Sequence, residues 1–420
     1  MKISPSRIAA FEILAKIETE KSFSSVLLPI YEEKLEPKDR ALCHELTLGS
    51  LRKQIYLDKI IEKLTNGKKL DSVVKVILRI ALYQLIFLDK IPAHAAINDA
   101  VNLTQMAKKT SAKGFVNAVL RRFAREKPEL SFQDEVEKIS VETSHPKWLI
   151  EKWIGDFGIE ETTELAEANN EAPKLTYRFT AKTTEAIKKS LETENVPTDK
   201  KYLRELAENG KIYFQDEGSQ IIGNSVELKE NESFLDVCAA PGSKVTQIQN
   251  SKFKIQNLIV AGDLYWQRVK VLQENCLRQG AAGVNILQYD AENALPFADE
   301  SFDVVLIDAP CSGTGTIRHN PEIRYFLEKK DFEELSCKQL KILNNASKLI
   351  KTGGRIIYST CSLEKEENEE VCRKFAAENT GFRPVAPNVS EKFLTAQGFA
   401  RTFPQRDKMD GFFIAVFEKI

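Results

Sequence analysis

The chain has 420 residues, of which 42% are apolar and 29% are charged, a composition typical of a globular protein of two or three domains. This composition excludes a collagen-like, mucin-like or wholly disordered chain. The net charge is −1, but residues 1–130 carry 23 Lys and Arg against 15 Asp and Glu, and the remainder carries 37 against 46. The basic N-terminal part indicates an anionic partner such as nucleic acid, with a solvated basic surface as the alternative.

The start of the chain and its cysteines indicate the compartment. The first residues lead into an amphipathic stretch and not into the apolar run of a secretory signal. The most apolar segment, 73–91, contains charges, and its longest uncharged piece, 80–88, is too short to span a bilayer. The seven cysteines are odd in number and form no C-x-x-C pair, which argues against a disulfide framework and a zinc cluster. We expect a cytoplasmic monomer without a membrane segment or a bound metal.

The first part of the chain is predicted to be helical. Residues 3 to about 125 are predicted to form successive helices, because apolar residues recur at helical spacing from Ile8 to Ile17 and further helical stretches follow at 41–61, 70–88, 93–109 and 116–123. These elements form an all-α domain of residues 1–126. Residues 127–172 are mixed and polar, and we predict a helical linker there.

Strands enter the pattern after residue 172. Two strands, 175–179 and 212–214, flank a helix at 184–194, which predicts a small α+β subdomain of residues 173–216. In residues 217–420, apolar strands alternate with helical sequence, which favours an α/β domain with a parallel sheet. The predicted strands are 234–237, 258–261, 284–288, 304–307 and 355–358, with a last one at 411–417.

The first motif runs from Phe234 to Lys244 and joins a strand to a helix through small residues. Such a turn lets a nucleotide approach the backbone and the helix N-terminus. It matches neither G-x-G-x-x-G nor the P-loop spacing, which disfavours a dinucleotide or an ATP phosphate. Asp263 and Asp290 follow the next two strands, where carboxylates can accept hydrogen bonds from ribose hydroxyls and hold a base. Helix capping is the alternative for both.

Two further motifs place cysteines after neighbouring strands. Asp308 and Cys311 follow the fourth predicted strand, and Cys361 follows the fifth. Because parallel strands end at one edge of their sheet, the two thiols can face one pocket. Spacing alone leaves disulfide exchange and a structural role open.

A thiolate has a specific use on pyrimidines. Its addition to C6 of cytosine makes C5 nucleophilic, so that C5 can attack an activated methyl group. The thiol environment must favour the anion, and an acid near N3, for which Asp308 is the candidate, would assist. A second cysteine could serve the release of the product.

At these residues the chain resembles the bacterial ribosomal-RNA cytosine-C5 methyltransferases of the RsmB (Sun/Fmu) family. The stretches that carry the resemblance are 238–244, 308–315, 318–324, 359–362 and 410–413. The N-terminal domain resembles the NusB-like RNA-binding domain of that family at 39–52, 78–84, 91–96 and 115–122.

The resemblance implies a NusB-like domain, a small α+β subdomain and a Rossmann-like class I methyltransferase domain. It implies Cys361 as the nucleophile, Cys311 in product release, and Asp308 between the methyl donor and the base. The implied S-adenosylmethionine site comprises Cys238, Ala239, Ala240, Pro241, Gly242, Ser243, Lys244, Asp263, Asp290 and Asp308.

The implied RNA contacts are Lys244 and Arg318, to which the basic composition adds Arg121 and Arg122. A solvated helix end is the alternative for the last two. The acidic run 364–370 is predicted to be the solvated start of a helix, where acids suit the helix dipole.

The chain departs from the family pattern at four places, one of which is Gly218 in place of a more usual alanine. Ser243 and Val245 stand where the family has glycine and threonine, and Ser243 is compatible only with an ordinary backbone angle. Arg178 lies in a stretch, 177–180, that replaces an arginine–apolar–asparagine pattern.

The function implied is S-adenosylmethionine-dependent methylation of C5 of a cytidine in 16S rRNA, before the subunit is fully assembled. The alternatives are a tRNA cytosine-C5 methyltransferase, a DNA cytosine-C5 methyltransferase, and a non-catalytic RNA-binding or ribosome-assembly scaffold. The intact acid and thiols disfavour the scaffold. Pro310-Cys311 followed by Ser312, with a second cysteine motif, disfavours the DNA enzyme.

Overall fold

A computed structural model describes residues 3–192, 200–250 and 258–420. The chain divides into two compact units: unit 1 comprises residues 1–172 and 317–327, and unit 2 comprises 173–316 and 328–420. Within the described ranges, no helix combines the length and the apolar composition needed to cross a membrane.

The helices of the described residues are α1 Pro5–Glu20, α2 Ser24–Glu32, α3 Pro37–Arg52, α4 Gln54–Thr65, α5 Ser72–Phe87, α6 Ala93–Met106, α7 Lys113–Arg125, α8 Glu135–Thr143, α9 Lys147–Phe157, α10 Ile159–Ala168, α11 Glu185–Glu192, α12 Lys200–Glu208, α13 Glu217–Ser225, α14 Ser243–Gln249, α15 Trp266–Gln279, α16 Ile323–Phe326, α17 Lys329–Ser347, α18 Glu369–Glu378 and α19 Pro404–Asp407. The strands are β1 Tyr177–Phe179, β2 Ile212–Phe214, β3 Phe234–Asp236, β4 Ile259–Asp263, β5 Val284–Gln288, β6 Phe302–Asp308, β7 Ile350–Thr360, β8 Phe382–Val385, β9 Ala400–Arg401 and β10 Phe413–Lys419.

The core of unit 1 forms around α5, which is apolar on most of its surface and packs against α1, α3, α4, α6 and α7. The helix begins at Asp71, whose side chain accepts a hydrogen bond from the N–H of Val73. Its buried Arg79 forms ion pairs with Asp58 at 2.7 Å and Glu18 at 2.8 Å. The charge that interrupts the apolar segment is therefore neutralised inside the helical unit.

The predicted all-α character of the N-terminal part is confirmed, although α2 was not among the predicted helices. Two further details differ. The predicted helix 41–61 is divided into α3 and α4, because Lys53 leaves the helical conformation at φ −114°. The predicted linker forms α8, α9 and α10, which bury Leu149, Trp153 and Leu165 completely and belong to unit 1. Its polar composition conceals an amphipathic pattern with few but large apolar residues.

Residues 317–327, which include α16, also belong to unit 1, although the chain before and after them belongs to unit 2. Arg324 is fully buried there. Its guanidinium donates to the carbonyl oxygens of Thr143 at 3.1 Å and Asn169 at 3.2 Å, and to the side-chain oxygen of Asn170 at 3.0 Å. The cation thus satisfies carbonyl groups at the C-termini of α8 and α10, where positive charge is favourable.

The same segment makes further buried hydrogen bonds within unit 1. Glu322 accepts from the N–H of Ser24 at 2.6 Å and from its hydroxyl at 3.0 Å. The Tyr325 hydroxyl donates to the carbonyl oxygen of Leu51 at 2.6 Å. These contacts place residues 317–327 among the structural elements of the helical unit.

Unit 2 begins with the small α+β subdomain, in which β1 and β2 pair antiparallel, with Tyr177 opposite Phe214. Strand β2 has the predicted bounds and α11 lies within the predicted helix, whereas α12 was not predicted. The end of that predicted helix, residues 193 and 194, lies outside the described residues.

The larger sheet has the strand order β5-β4-β3-β6-β7-β10-β8, with β9 beside β10. The first five strands are parallel to their neighbours, and β10 runs antiparallel to β7. Phe234 and Leu235 lie in separate apolar clusters, as expected for a strand covered on both faces. The six predicted strands of this domain are confirmed, whereas β8 and β9 were not predicted.

We expect Arg324→Ala to lower the stability of the protein by about 3 kcal/mol, because several buried carbonyl groups lose their donor. Arg125→Ala, which removes an exposed arginine from the end of α7, is the matched control. Calorimetry should show a lower Tm for the first variant and an unchanged Tm for the second. Equal Tm values for both variants would contradict this role of Arg324.

Candidate active site

The carboxyl ends of five neighbouring strands, β3 to β7, border a cavity of about 260 Å³ in unit 2. Seven residues singled out by the sequence line it: Cys238, Ala240, Asp263, Asp290, Asp308, Cys311 and Cys361. The crevice at this edge is where parallel α/β sheets bind ligands.

The turn between β3 and α14 requires glycine at one position. Gly242 has φ +102°, and a Cβ there would lie 2.9 Å from Cδ1 of Leu272. Ser243 is the first residue of α14, and its φ is not positive, so serine is accommodated there. The chain therefore keeps a close turn at the N-terminus of α14 despite its departure from the family pattern.

The two strand-end carboxylates have different partners. Asp263 is buried at the end of β4, where it accepts from the N–H of Ala240 at 3.2 Å and lies 3.4 Å from Nη2 of Arg268. Asp290 accepts from the N–H of Glu292 at 3.0 Å and so stabilises its own turn. Both also face the cavity, and local hydrogen bonding does not remove them from a ligand's reach.

The two thiols meet at this edge of the sheet. Asp308 of β6 lies opposite Ser359 of β7 in parallel register, and the loops that follow bring the Sγ atoms of Cys311 and Cys361 to 3.2 Å. The hydrogen bond with Cys361, burial and nearby negative charge raise the pKa of Cys311 well above its usual value. The structure thus brings both predicted thiols into one pocket and favours the protonated form of Cys311.

Lys244 and Asp308 form a buried ion pair with Nζ and Oδ2 2.6 Å apart. The carboxylate also accepts from the Ser359 hydroxyl at 3.0 Å. Burial disfavours the charge on Lys244, but attraction to Asp308 outweighs it and raises the pKa of the lysine. Lys244, the last residue of the first motif, therefore holds a positive charge in a fixed position beside Asp308.

Asp236, the last residue of β3, is a buried acid that the sequence argument did not single out. It is 1% exposed, and its two carboxylate oxygens have no hydrogen-bond partner among the described residues. Burial, with repulsion from Asp308, raises its pKa to about 8. An acid within an otherwise apolar strand was the available sequence signal.

Arg178 supports the first motif from the small subdomain. Its guanidinium donates to the carbonyl oxygen of Ser243 at 3.0 Å and to the hydroxyl of Thr246 at 2.6 Å. It also donates to the side-chain oxygens of Gln279 at 2.8 Å and Gln215 at 2.7 Å. Burial lowers its pKa to about 10. The residue at this departure from the family pattern therefore holds the first turn of α14.

The predicted RNA contacts are distributed over both units. Arg121 and Arg122 are exposed on α7, and Arg122 also donates to the carbonyl oxygen of Leu64 at 2.9 Å, at the end of α4. Arg318 is buried in unit 1, and Lys244 is paired with Asp308. Three of these cations belong to unit 1 and Lys244 belongs to unit 2, and the contacts of all four with RNA stay predictions.

The acidic run 364–370 differs from its prediction as a solvated helix start. Glu364 and Glu367 are buried, and α18 begins only at Glu369. The chain turns back towards the sheet edge before the helix, which composition does not reveal.

Three family models match the chain. They are the 16S rRNA methyltransferase RsmB/F over residues 224–418, the NusB family over 4–125, and the RsmF/B-like ferredoxin-like domain over 145–212. The last match begins within the predicted linker and ends in the small α+β subdomain.

Full-length relatives support the same grouping. A "probable ribosomal RNA small subunit methyltransferase B" of Bacillus subtilis (strain 168) is 32% identical, with 100% of both chains covered. The crystal structure of PH0851 has a TM-score of 0.83 at 27% identity, with 100% of both chains covered. The structure of NSun6 from Pyrococcus horikoshii with SFG has a TM-score of 0.57 at 21% identity, and the match covers 65% of this chain and 98% of that one.

We expect the free energy of unfolding of Asp236→Asn, relative to that of the parent, to increase as the pH rises. The pKa of this carboxyl is about 8 when folded and 3.8 as the ordinary value, so the folded parent holds an extra proton between these limits. Parent stability should then fall by up to about 1.4 kcal/mol per pH unit. The amide does not titrate.

The measurement is calorimetric stability at about pH 5 and about pH 8, with the exposed Asp299→Asn as control. The stability difference between Asp236→Asn and the parent should become more positive at the higher pH. A difference independent of pH would show that Asp236 does not titrate in this range.

Proposed function

The chain belongs to the 16S rRNA methyltransferase RsmB/F family, and from that membership we propose that it methylates C5 of a cytidine in small-subunit rRNA. The chain is an S-adenosylmethionine-dependent rRNA methyltransferase. The observation that carries the C5 assignment is the pair of thiols 3.2 Å apart beside the Lys244–Asp308 ion pair. Such a pair suits a covalent addition to C6 followed by release.

The cavity residues fit S-adenosylmethionine. Asp263 can accept from ribose hydroxyls, Asp290 can hold the adenine, and the backbone of 238–244 can approach the ligand closely. Tyr289 also lines the cavity, and its buried hydroxyl has no hydrogen-bond partner among the described residues. When bound, this cofactor supplies an electrophilic methyl group.

Cys361 performs the covalent step. Its Sγ, as thiolate, forms a bond to C6, and the electrons of the C5–C6 double bond move to C5, which takes the methyl group. Loss of the C5 proton to solvent and cleavage of the Sγ–C6 bond restore the double bond. A methyl group has then replaced a proton, and Cys361 leaves as thiolate.

Cys311 and the ion pair assist on either side of this step. The protonated thiol of Cys311 can donate a hydrogen bond to the departing sulfur of Cys361, which favours its expulsion. Asp308, held by Lys244, can accept a hydrogen bond from the 4-amino group of the cytosine. The adjacent ammonium offers positive charge as electron density enters the ring.

The substrate must present an unstacked cytidine. Extrusion of a paired base costs a few kcal/mol, and loops are the usual sites of sequence-specific RNA recognition. We propose a target in a loop or irregular segment of 16S rRNA that is accessible before the subunit is complete. The exposed Arg121 and Arg122 on the basic unit are the proposed phosphate contacts.

We expect the parent protein to incorporate labelled methyl into unmodified 16S rRNA as 5-methylcytidine, and Cys361→Ala to reduce incorporation at least about 1000-fold because the covalent step is lost. Cys311→Ala should accumulate a covalent RNA–protein adduct, because Cys361 is expelled more slowly. The readouts are nucleoside mass spectrometry and a denaturing gel. Cys337→Ala, an exposed cysteine on α17, is the control.

The acceptors 16S rRNA, assembled small subunits, tRNA and DNA should be compared in parallel. Label in tRNA or DNA alone would replace the substrate assignment. Binding of S-adenosylmethionine without transfer to any acceptor would favour the scaffold. Methylation that persists in Cys361→Ala would refute the covalent mechanism.

We expect Asp263→Asn to weaken the binding of S-adenosylmethionine about tenfold or more, because a charged acceptor for the ribose is lost. Isothermal titration calorimetry without RNA measures this separately from catalysis. Asp299→Asn should bind as the parent does. An unchanged Kd for Asp263→Asn would remove Asp263 from the cofactor site.

A further inference from the structure

Glu367 lies buried between the two thiol loops, at the end of a short 3-10 turn of residues 365–367. One carboxylate oxygen accepts from the hydroxyls of Ser312 and Ser362, the latter at 2.6 Å. The other accepts from the N–H of Ser312 and from Nε2 of Gln339, both at 2.9 Å. Both oxygens are therefore engaged by donors from three separate parts of unit 2.

The position of the two serines gives these bonds their meaning. Ser312 directly follows Cys311, and Ser362 directly follows Cys361. One carboxylate thus fixes the residue next to each thiol, and the two serine hydroxyls lie 3.1 Å from each other. The relative position of the two Sγ atoms depends on these neighbours.

We infer that Glu367 is a positioning residue, which joins the two thiol loops and holds Cys311 against Cys361. This inference concerns the thiol geometry, and its catalytic meaning rests on the proposed function. Glu367 acts through Ser312 and Ser362 and does not line the cavity.

The surroundings of Glu367 fit a positioning role better than a purely stabilising one. Burial raises the pKa of Glu367, and the bonds from Ser312 and Ser362 oppose this effect. Its four donors are neutral groups, so the buried charge is not offset by ion pairing within this set. An apolar side chain would avoid the desolvation cost, but it would not connect the loops.

Further bonds hold the carboxylate itself in place. The Tyr358 hydroxyl of β7 donates to the Glu367 carbonyl oxygen at 2.6 Å. Gln339 of α17, besides its bond to the carboxylate, donates to the carbonyl oxygen of Pro310 at 3.0 Å. The residue before Cys311 and the residue after it are therefore both tied to the same cluster.

Glu367 also affects the charge state of Cys311. The hydrogen bond with Cys361 and burial are the largest causes of the raised pKa of Cys311. Repulsion from three groups that can carry negative charge, namely Cys361, Glu367 and Asp308, raises this pKa further. Removal of the Glu367 charge should therefore make Cys311 easier to deprotonate. A role limited to general packing does not predict this change.

The test compares Glu367→Gln with Glu370→Gln, a nearby, partly exposed acid on α18. Alkylation of Cys311 by iodoacetamide is followed by peptide mass spectrometry across a pH series, alongside methyl transfer to 16S rRNA. For Glu367→Gln we expect the alkylation midpoint to move to lower pH, and alkylation at a fixed pH below the midpoint to be about tenfold faster. We also expect kcat to fall about tenfold or more, with the KM for RNA within about threefold.

Several outcomes would overturn the inference. An unchanged alkylation profile of Cys311 in Glu367→Gln would overturn the inference even if kcat falls, because the loss of activity would then reflect general destabilisation. Equal changes of the alkylation profile and of kcat in the Glu367 and Glu370 variants would also overturn it. If Glu367→Gln does not fold, Ser362→Ala, which removes one donor to the carboxylate and keeps the Glu367 charge, must lower kcat with the KM for RNA within about threefold. An unchanged kcat in a folded Ser362→Ala variant contradicts the inference.

The thiol measurement separates this inference from the proposed function. A shifted Cys311 profile in Glu367→Gln, in a protein that does not methylate C5 of cytidine, supports the positioning role and rejects the function. If the parent methylates C5 of cytidine and the Cys311 alkylation profile of Glu367→Gln equals that of the parent, the proposed function is supported and the positioning role of Glu367 is rejected.

Discussion

The parallel pairing of β6 with β7 is the constraint on which the site depends. It places Asp308 opposite Ser359, so the chain leaves both strands at the same height and each loop delivers its cysteine to the same point. The N–H of Gly315 donates to the carbonyl oxygen of Cys361 at 2.9 Å, which continues the connection beyond the strands. A shift of one residue would turn each side chain of the slipped strand to the other face of the sheet and separate the thiols.

Around this edge, negative charge is concentrated in a small buried volume. Asp236, Asp263 and Asp308 end three neighbouring parallel strands, and the buried lysine in the same space is Lys244. Lys244 forms an ion pair with Asp308, whereas burial and repulsion from Asp308 raise the pKa of Asp236 to about 8. A strongly perturbed acid of this kind, buried at the edge of a cavity, is typical of functional sites.

The sequence was most informative where a local pattern and the topology rules agree. Apolar runs ending in polar residues located the parallel strands, and the rule that such strands end at one edge brought Cys311 and Cys361 together. The domain architecture was predicted from the same alternation and from the family resemblance.

The features that were missed depend on long-range contacts. Glu367 belongs to an acidic run whose composition indicates solvent, yet its partners lie on other elements. Arg178 differs from the family pattern, but its role follows from acceptors on α14 and α15. The burial of Trp153 shows that a polar segment with few apolar residues can still form a packed helical layer.

Residues 317–327 belong to the helical unit although they follow most of the second unit in sequence, and this order has a consequence for biosynthesis. A ribosome completes residues 1–172 well before it reaches Arg324. While the more than one hundred intervening residues are synthesised, the carbonyl groups that accept hydrogen bonds from Arg324 lack this donor. Domains usually fold in order from the N-terminus, but this helical unit reaches its final hydrogen bonding only after the Cys311 loop has been synthesised. Its maturation is thereby delayed until most of the catalytic unit exists, and a fragment ending at residue 172 would lack the buried guanidinium of Arg324.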